Sequence, residues 1–138
     1  YPSADGLLKG AYVLAAEEGE TPDLILMASG SEVQLALDAR EELQNQGIDC
    51  RVVSFPSWEL FLEQPEEYRR QVLPPTVTKR LAIEAASPMG WGRWVGEDGD
   101  VIGVETFGAS APGETCMEKY GFSVPNVVKR ARALLDQD

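Results

Sequence analysis

Three turns in the sequence have the small-residue composition of phosphate-binding loops, and the first is "ASGSEV". The apolar run Asp23–Ala28 precedes it and a helical pattern follows, so Ser29, Gly30 and Ser31 stand where backbone N–H groups of a helix N-terminus bind anions. Ser29 also precedes Glu32 by three residues, which is the spacing of a helix capping box. The glutamate carboxylate would repel a phosphate, so capping is the favoured interpretation and a small-anion site is the alternative.

The second turn is Phe107–Glu114, "FGASAPGE", between a predicted strand and a predicted helix. Pro112 fits the first helical position, and Glu114 then lies in the first helical turn, where its charge suits the helix dipole. The turn thus supplies its own negative charge where a phosphate would bind. We interpret it as structural.

The third turn, "SPMGWGRWVG", contains glycines at Gly90, Gly92 and Gly96. Their spacing is one residue longer than the dinucleotide-binding fingerprint, and Trp91 and Trp94 fill the space that a pyrophosphate needs. Tryptophan is enriched among the residues that anchor protein interfaces. We therefore expect a loop and short helix that present Trp91 and Trp94 to another surface.

Two carboxylates, Glu84 and Glu105, lie in apolar strand patterns near their C-terminal ends. A carboxylate in such a place is either paired with a base or functional. Pairing is favoured, with Lys79, Arg80 or Arg93 as partner. The remaining acids include two clusters that we interpret as solvated: Glu17, Glu18 and Glu20, and Glu63, Glu66 and Glu67.

The composition removes several other chemistries. The chain of 138 residues has no histidine, so it lacks Ser-His and Cys-His nucleophile pairs and imidazole metal ligands. Cys50 and Cys116 are far apart with no CxxC spacing, and both are expected to be buried thiols. A net charge of −11 disfavours nucleic acid and membrane surfaces as partners. No apolar stretch is long enough for a membrane span, and the N-terminus does not resemble a signal peptide.

Strand and helix patterns alternate along the chain, which predicts a mostly parallel sheet covered by helices on both faces. The segment "GAYVLAAE" is a further strand at a sheet edge, with a helix as the alternative. Strands are predicted at Asp23–Ala28, Cys50–Phe55, Leu81–Ala86 and Val101–Glu105, and helices at Ser31–Gln46, Ser57–Gln64, Glu66–Val72, Pro112–Tyr120 and Val124–Leu135.

Read together, "LILMASGSEVQLALDA", "VVSFPSWELFLEQPEEYRRQVLP", "GWGRWVG", "FGASAPGE" and "YGFSVPNVV" resemble the C-terminal domain of transketolase. The resemblance runs from about Gly10 to Leu135. It implies a linker at residues 1–9 and the domain at 10–138. It also implies a three-layer α/β/α sandwich with a mixed five-stranded sheet in which "AYVLA" is the antiparallel strand.

The family's whole enzyme moves a two-carbon ketol unit between sugar phosphates with thiamine diphosphate and a divalent metal, magnesium or calcium. Its other two domains hold the cofactor and the catalytic residues, so the resemblance implies no catalytic, cofactor or metal residue here. The implied partners are the preceding domains and a dimer mate, and the implied location is the cytoplasm, or the plastid stroma in a photosynthetic eukaryote. A small-anion or nucleotide-binding regulatory domain, and the C-terminal domain of a related thiamine-dependent enzyme, are the alternatives.

Overall fold

Five strands form one sheet in the computed structural model, which describes residues 9–30, 32–84, 90–103 and 122–136. The strands are β1 (Tyr12–Ala15), β2 (Leu24–Ala28), β3 (Cys50–Ser54), β4 (Arg80–Glu84) and β5 (Asp100–Gly103). Their spatial order is β1-β3-β2-β4-β5. Neighbouring strands are parallel except β1, which runs antiparallel to β3. The predicted mixed sheet is confirmed, and so is the antiparallel edge strand.

The helices that cover this sheet follow the predicted order. They are α1 (Glu32–Asn45), α2 (Trp58–Leu62), α3 (Glu66–Val72), α4 (Gly92–Val95) and α5 (Val124–Leu135). Ser57 caps α2, because its hydroxyl oxygen accepts the Leu60 N–H at 3.3 Å. The "FGASAPGE" turn, the predicted helix Pro112–Tyr120, Glu105 and Cys116 lie outside the described residues.

The helices lie in two layers because successive strand residues point to opposite faces of the sheet. One face of β2, with Leu24 and Leu26, packs against α1 and α5. The other face, with Ile25 and Met27, packs against the layer that contains α2, α3 and α4. The predicted three-layer α/β/α arrangement is therefore confirmed.

Cys50 lies in the α1–α5 layer of the core as a free, fully buried thiol. Burial raises the pKa of this thiol to about 12, so it stays protonated at neutral pH. The prediction of a buried thiol is confirmed for Cys50.

Two arginines from the sheet hold the C-terminal end of α3. Arg51 of β3 donates to the carbonyl oxygens of Gln71 at 2.8 Å and Val72 at 2.9 Å. Arg80, the first residue of β4, donates to the carbonyl oxygen of Pro74 at 2.9 Å and also to that of Leu73 at 3.4 Å. The last carbonyls of a helix lack intrahelical donors, and cations are favourable there. These contacts fix the end of α3 against the sheet.

Candidate functional site

A pocket of about 430 Å³ lies where β2, β3 and β4 end, at the carboxyl edge of the parallel strands. Open parallel sheets bind ligands at this edge, outside the carboxyl ends of their strands. The pocket is therefore the natural place to look for a site in this fold. Its lining is Ser29 after β2; Phe55, Pro56, Ser57, Trp58 and Glu59 after β3; Glu84 at the end of β4; and Trp91.

Among the described residues that line this pocket, two have charged side chains and both are acidic, Glu59 and Glu84. The Ser29 hydroxyl donates to the Glu84 carboxylate at 3.5 Å, and the Ser57 hydroxyl oxygen is already used to cap α2. An incoming phosphate would meet negative charge and no lysine or arginine in this lining. The described part of the pocket is therefore poorly suited to anions.

The capping-box prediction for Ser29 is wrong. Helix α1 begins at Glu32, whose N–H donates to the Ser29 backbone carbonyl at 3.3 Å, while the Ser29 hydroxyl is directed at Glu84. Gly30 forms the turn with a φ of 60°, and Ser31 lies outside the described residues. The small-anion site at Ser29, Gly30 and Ser31 stays a prediction, and the neighbouring Glu84 carboxylate argues against it.

Arg80 and Arg93, two of the expected partners of Glu84, make their contacts elsewhere. Arg80 is at the opposite end of β4 and donates to backbone carbonyls, including that of Trp94 at 2.8 Å. The Arg93 guanidinium lies over the Trp94 ring, 5.1 Å from its centroid. Lys79 lies beyond the other end of the strand, roughly 16 Å from Glu84 at about 3.3 Å per residue. For Lys79 and Arg80 the order along the strand already separates the cation from Glu84, whereas the position of Arg93 depends on the fold.

The turn with three glycines is shaped by ring packing. Gly90 has a φ of 91°, and a Cβ at this position would lie 2.7 Å from Cζ3 of Trp58. The glycine therefore lets the backbone pass close to an indole ring. This close approach accounts for the glycine at position 90, so no dinucleotide-binding role is needed to explain it.

The family comparison fits the sheet order and the two helical layers. The family model described as a transketolase-like TK C-terminal domain matches residues 10–123 of this chain. The chain belongs to the transketolase C-terminal domain family. This match also favours that family over the related thiamine-dependent enzymes that the sequence left as alternatives.

Transketolases match this chain with high identity. It is 55% identical over 132 residues to the transketolase of Bacillus subtilis, and this alignment covers 96% of the chain but 20% of the relative. The transketolase structure from Leishmania mexicana superposes with a TM-score of 0.86 at 38% identity, covering 97% of this chain and 19% of that one. A split-gene transketolase described as an inactive beta4 tetramer superposes with a TM-score of 0.69 at 27% identity, covering 93% of this chain and 43% of that one. The chain thus spans about a fifth of the length of the curated relatives that it matches.

In this transketolase C-terminal domain, Trp91 and Trp94 are core residues, with exposed fractions of 2% and 8%. Their rings contact Phe55 with centroid distances of 5.6 Å and 4.8 Å, in the same layer as α2. This corrects the expectation that the segment presents both rings to another surface. The enrichment of tryptophan at interfaces favoured exposure, but Trp91 and Trp94, before and within the short helix α4, pack against Phe55. Contact of these rings with another chain stays a prediction, and it is disfavoured by their burial.

In the described part of this transketolase C-terminal domain, no group of three or more acidic, cysteine or histidine side chains is arranged so that it could hold a metal ion. The described helices are also too short or too polar to cross a membrane.

Proposed function

We propose that this chain is the non-catalytic, dimer-supporting C-terminal domain of a transketolase. The whole enzyme would transfer a two-carbon ketol unit from a ketose phosphate to an aldose phosphate. Thiamine diphosphate and a divalent metal, magnesium or calcium, would be held by the other domains of the same chain and of its dimer mate. A cytoplasmic location, or a plastid one in a photosynthetic eukaryote, is part of this proposal.

One observation carries the proposal: a chain that matches the transketolase C-terminal domain over residues 10–123 contains no histidine at all. Without imidazole, the chain lacks the usual proton-transfer group at neutral pH. The described lining of the strand-end pocket contains two carboxylates, Glu59 and Glu84, and no group of described side chains is arranged to hold a metal ion. Ketol transfer therefore has to be carried out elsewhere in the longer enzyme.

The split-gene relative supports the same division of labour. This chain aligns with less than half of that protein, which is described as an inactive beta4 tetramer. We infer that the present chain likewise contributes stability and assembly, and no chemistry.

Ketol transfer by the 138-residue chain tests the absence of catalysis. The purified chain, supplied with thiamine diphosphate, magnesium, a ketose phosphate and an aldose phosphate, is expected to give the same rate as buffer. The enzyme from Bacillus subtilis serves as the positive control. Turnover that rises in proportion to the concentration of the 138-residue chain would refute the proposal.

Assembly is tested in the full-length enzyme that contains this chain, with and without residues 10–138. Sedimentation velocity over a dilution series is expected to show weaker dimerisation after the deletion. Thiamine diphosphate binding, measured at concentrations where both proteins are dimeric, is expected to persist. An unchanged dimer dissociation constant would rule out the supporting role.

A further inference from the structure

A second pocket, of about 400 Å³, lies on the α2–α4 face beside the start of β4. Among the described residues, its charged lining consists of four arginines and one glutamate, which gives a net charge of +3. The chain as a whole carries −11, so this is a local reversal of sign. The charged lining residues are Arg69, Arg70, Arg80, Arg93 and Glu66, and the others are Phe61, Leu73, Pro75 and Trp94.

Arg69 and Arg93 have guanidinium N–H donors that have no acceptor among the described residues. Arg69 uses its Nε to donate to the Gln64 carbonyl at 3.1 Å, and its terminal nitrogens have no acceptor in the described residues. Arg93 is stacked on Trp94 and makes no hydrogen bond to another described residue. A guanidinium has five N–H donors, so each arginine keeps several for a ligand.

The other two arginines have different roles. Arg70 contacts Glu66 through both Nε, at 3.0 Å, and a terminal nitrogen, at 2.9 Å, so its charge is balanced. Arg80 donates to four backbone carbonyls and has no carboxylate partner in the described residues. Its positive charge therefore remains at the base of the pocket, where a concave wall focuses the field.

We propose that the pocket of Arg69, Arg80 and Arg93 binds a small doubly charged oxyanion, in the form of a phosphate group. Guanidinium forks match the geometry of phosphate oxygens and bind them with paired hydrogen bonds. Stacking on Trp94 holds the Arg93 guanidinium in place before the ligand arrives, which reduces the entropy lost on binding. The apolar lining of Phe61, Leu73 and Trp94 then accepts the organic part of a phosphate monoester.

This site is distinct from the strand-end pocket. The two pockets share no lining residue, and the strand-end pocket is lined by acids where this one is lined by arginines. The inference also stands apart from the assembly role, because it concerns the charges of one surface pocket and no second chain.

Titration of the 138-residue chain with inorganic phosphate and with glycerol 3-phosphate tests the proposal. Binding is followed by isothermal calorimetry and by two-dimensional NMR at constant ionic strength, with sodium chloride as the matched salt. We expect saturable binding, with shifts for the Arg93 and Arg69 side-chain resonances and for the indole N–H of Trp94. Glycerol 3-phosphate is expected to bind at least as tightly as inorganic phosphate.

Arg93→Gln is the informative variant because Arg93 is exposed and forms no hydrogen bond within the described chain. It should weaken phosphate binding about tenfold, as expected for the loss of a charge-assisted hydrogen bond. Arg132→Gln is the matched control, since Arg132 is an exposed arginine on α5, in the opposite layer. Both variants change the net charge equally, and circular dichroism establishes that each is folded.

The proposal would be overturned if neither phosphate showed saturable binding up to a concentration on the order of 20 mM. Equal weakening of binding by Arg93→Gln and Arg132→Gln would also overturn it. So would NMR shifts confined to residues outside the pocket. Equal weakening would mean that the ligand responds only to overall charge.

Discussion

At the scale of single residues, the main surprise is how the chain uses its buried charges. Glu17 was grouped with solvated acids, yet its side chain is 9% exposed and its carboxylate contacts Arg51 at 2.6 Å. The same arginine donates to the last carbonyls of α3. Sequence could not reveal this pair, because the two residues are 34 positions apart and meet only when the segment after β1 folds over β3.

Glu17→Gln is expected to lower the free energy of unfolding at pH 7 by about 2 kcal/mol, because it leaves the Arg51 charge without its partner. The hydrogen bond from Arg51 lowers the pKa of the Glu17 carboxyl below its ordinary value of 4.5. A carboxyl whose folded-state pKa is lowered stabilises the fold above its unfolded-state pKa, and this contribution disappears as pH falls through the folded-state pKa. The stability difference between the two proteins should therefore shrink as the pH falls below the ordinary carboxyl pKa of 4.5.

Urea unfolding at a series of pH values measures this difference. Glu66→Gln is the matched control, since it removes an ion pair with Arg70 whose side chains are 67% and 63% exposed. That substitution should cost at most about 0.5 kcal/mol. A Glu17→Gln protein as stable as the Glu66→Gln protein at pH 7 would show that the buried pair is unimportant.

At the scale of elements, the sequence was informative where a segment carries its own pattern. The fully buried β2 and β3 read as short apolar runs, and α5 showed its apolar stripe directly. The prediction for the surroundings of Gly92–Val95 is wrong, because four residues are too few for a periodic pattern and the Trp94 ring is buried by contacts with distant Phe55 and Trp58. Local signals thus identified the elements, and only tertiary contacts decided what α4 faces.

The junction between β1 and α2 depends on a single glycine, which a matched pair of substitutions can test. Gly10 and Gly47 both have a φ of 84°, but a Cβ at Gly10 would collide with the backbone of Ser57 and Phe61, whereas a Cβ at Gly47 meets nothing within 4 Å. Gly47→Ala should cost about 1 kcal/mol through backbone strain alone. Gly10→Ala should cost about 3 kcal/mol or more, since the collision forces β1 and α2 apart.

Thermal and urea unfolding of the two alanine variants gives the comparison directly. Because the backbone φ angle is the same, the difference between them isolates the close approach of Gly10 to α2. Equal losses of stability in the two variants would contradict the packing at this junction.

At the scale of the whole molecule, one sheet is shared by two helical layers, and the spectroscopic probes are divided between them. The three tryptophans of the chain, Trp58, Trp91 and Trp94, all lie in the α2–α4 layer. The two longest described helices, α1 and α5, lie in the other layer. Tryptophan fluorescence therefore reports on one side of the sheet, and far-ultraviolet circular dichroism reports mainly on the other.

Leu43→Ala uses this division to test whether the domain unfolds as one unit. Leu43 is fully buried between α1 and the sheet, so its truncation should cost about 3 kcal/mol. Each of the strands β2, β3 and β4 contributes residues to both layers. If one helical layer unfolded, these strands would lose the packing on one face, which weakens their support for the other layer. A two-state domain must then show the same shift in urea midpoint by both probes.

Phe61→Ala, on the tryptophan side, is the reciprocal variant and should also shift both midpoints together. If Leu43→Ala lowers the circular dichroism midpoint and leaves the fluorescence midpoint in place, the two layers unfold separately and the shared sheet does not couple them.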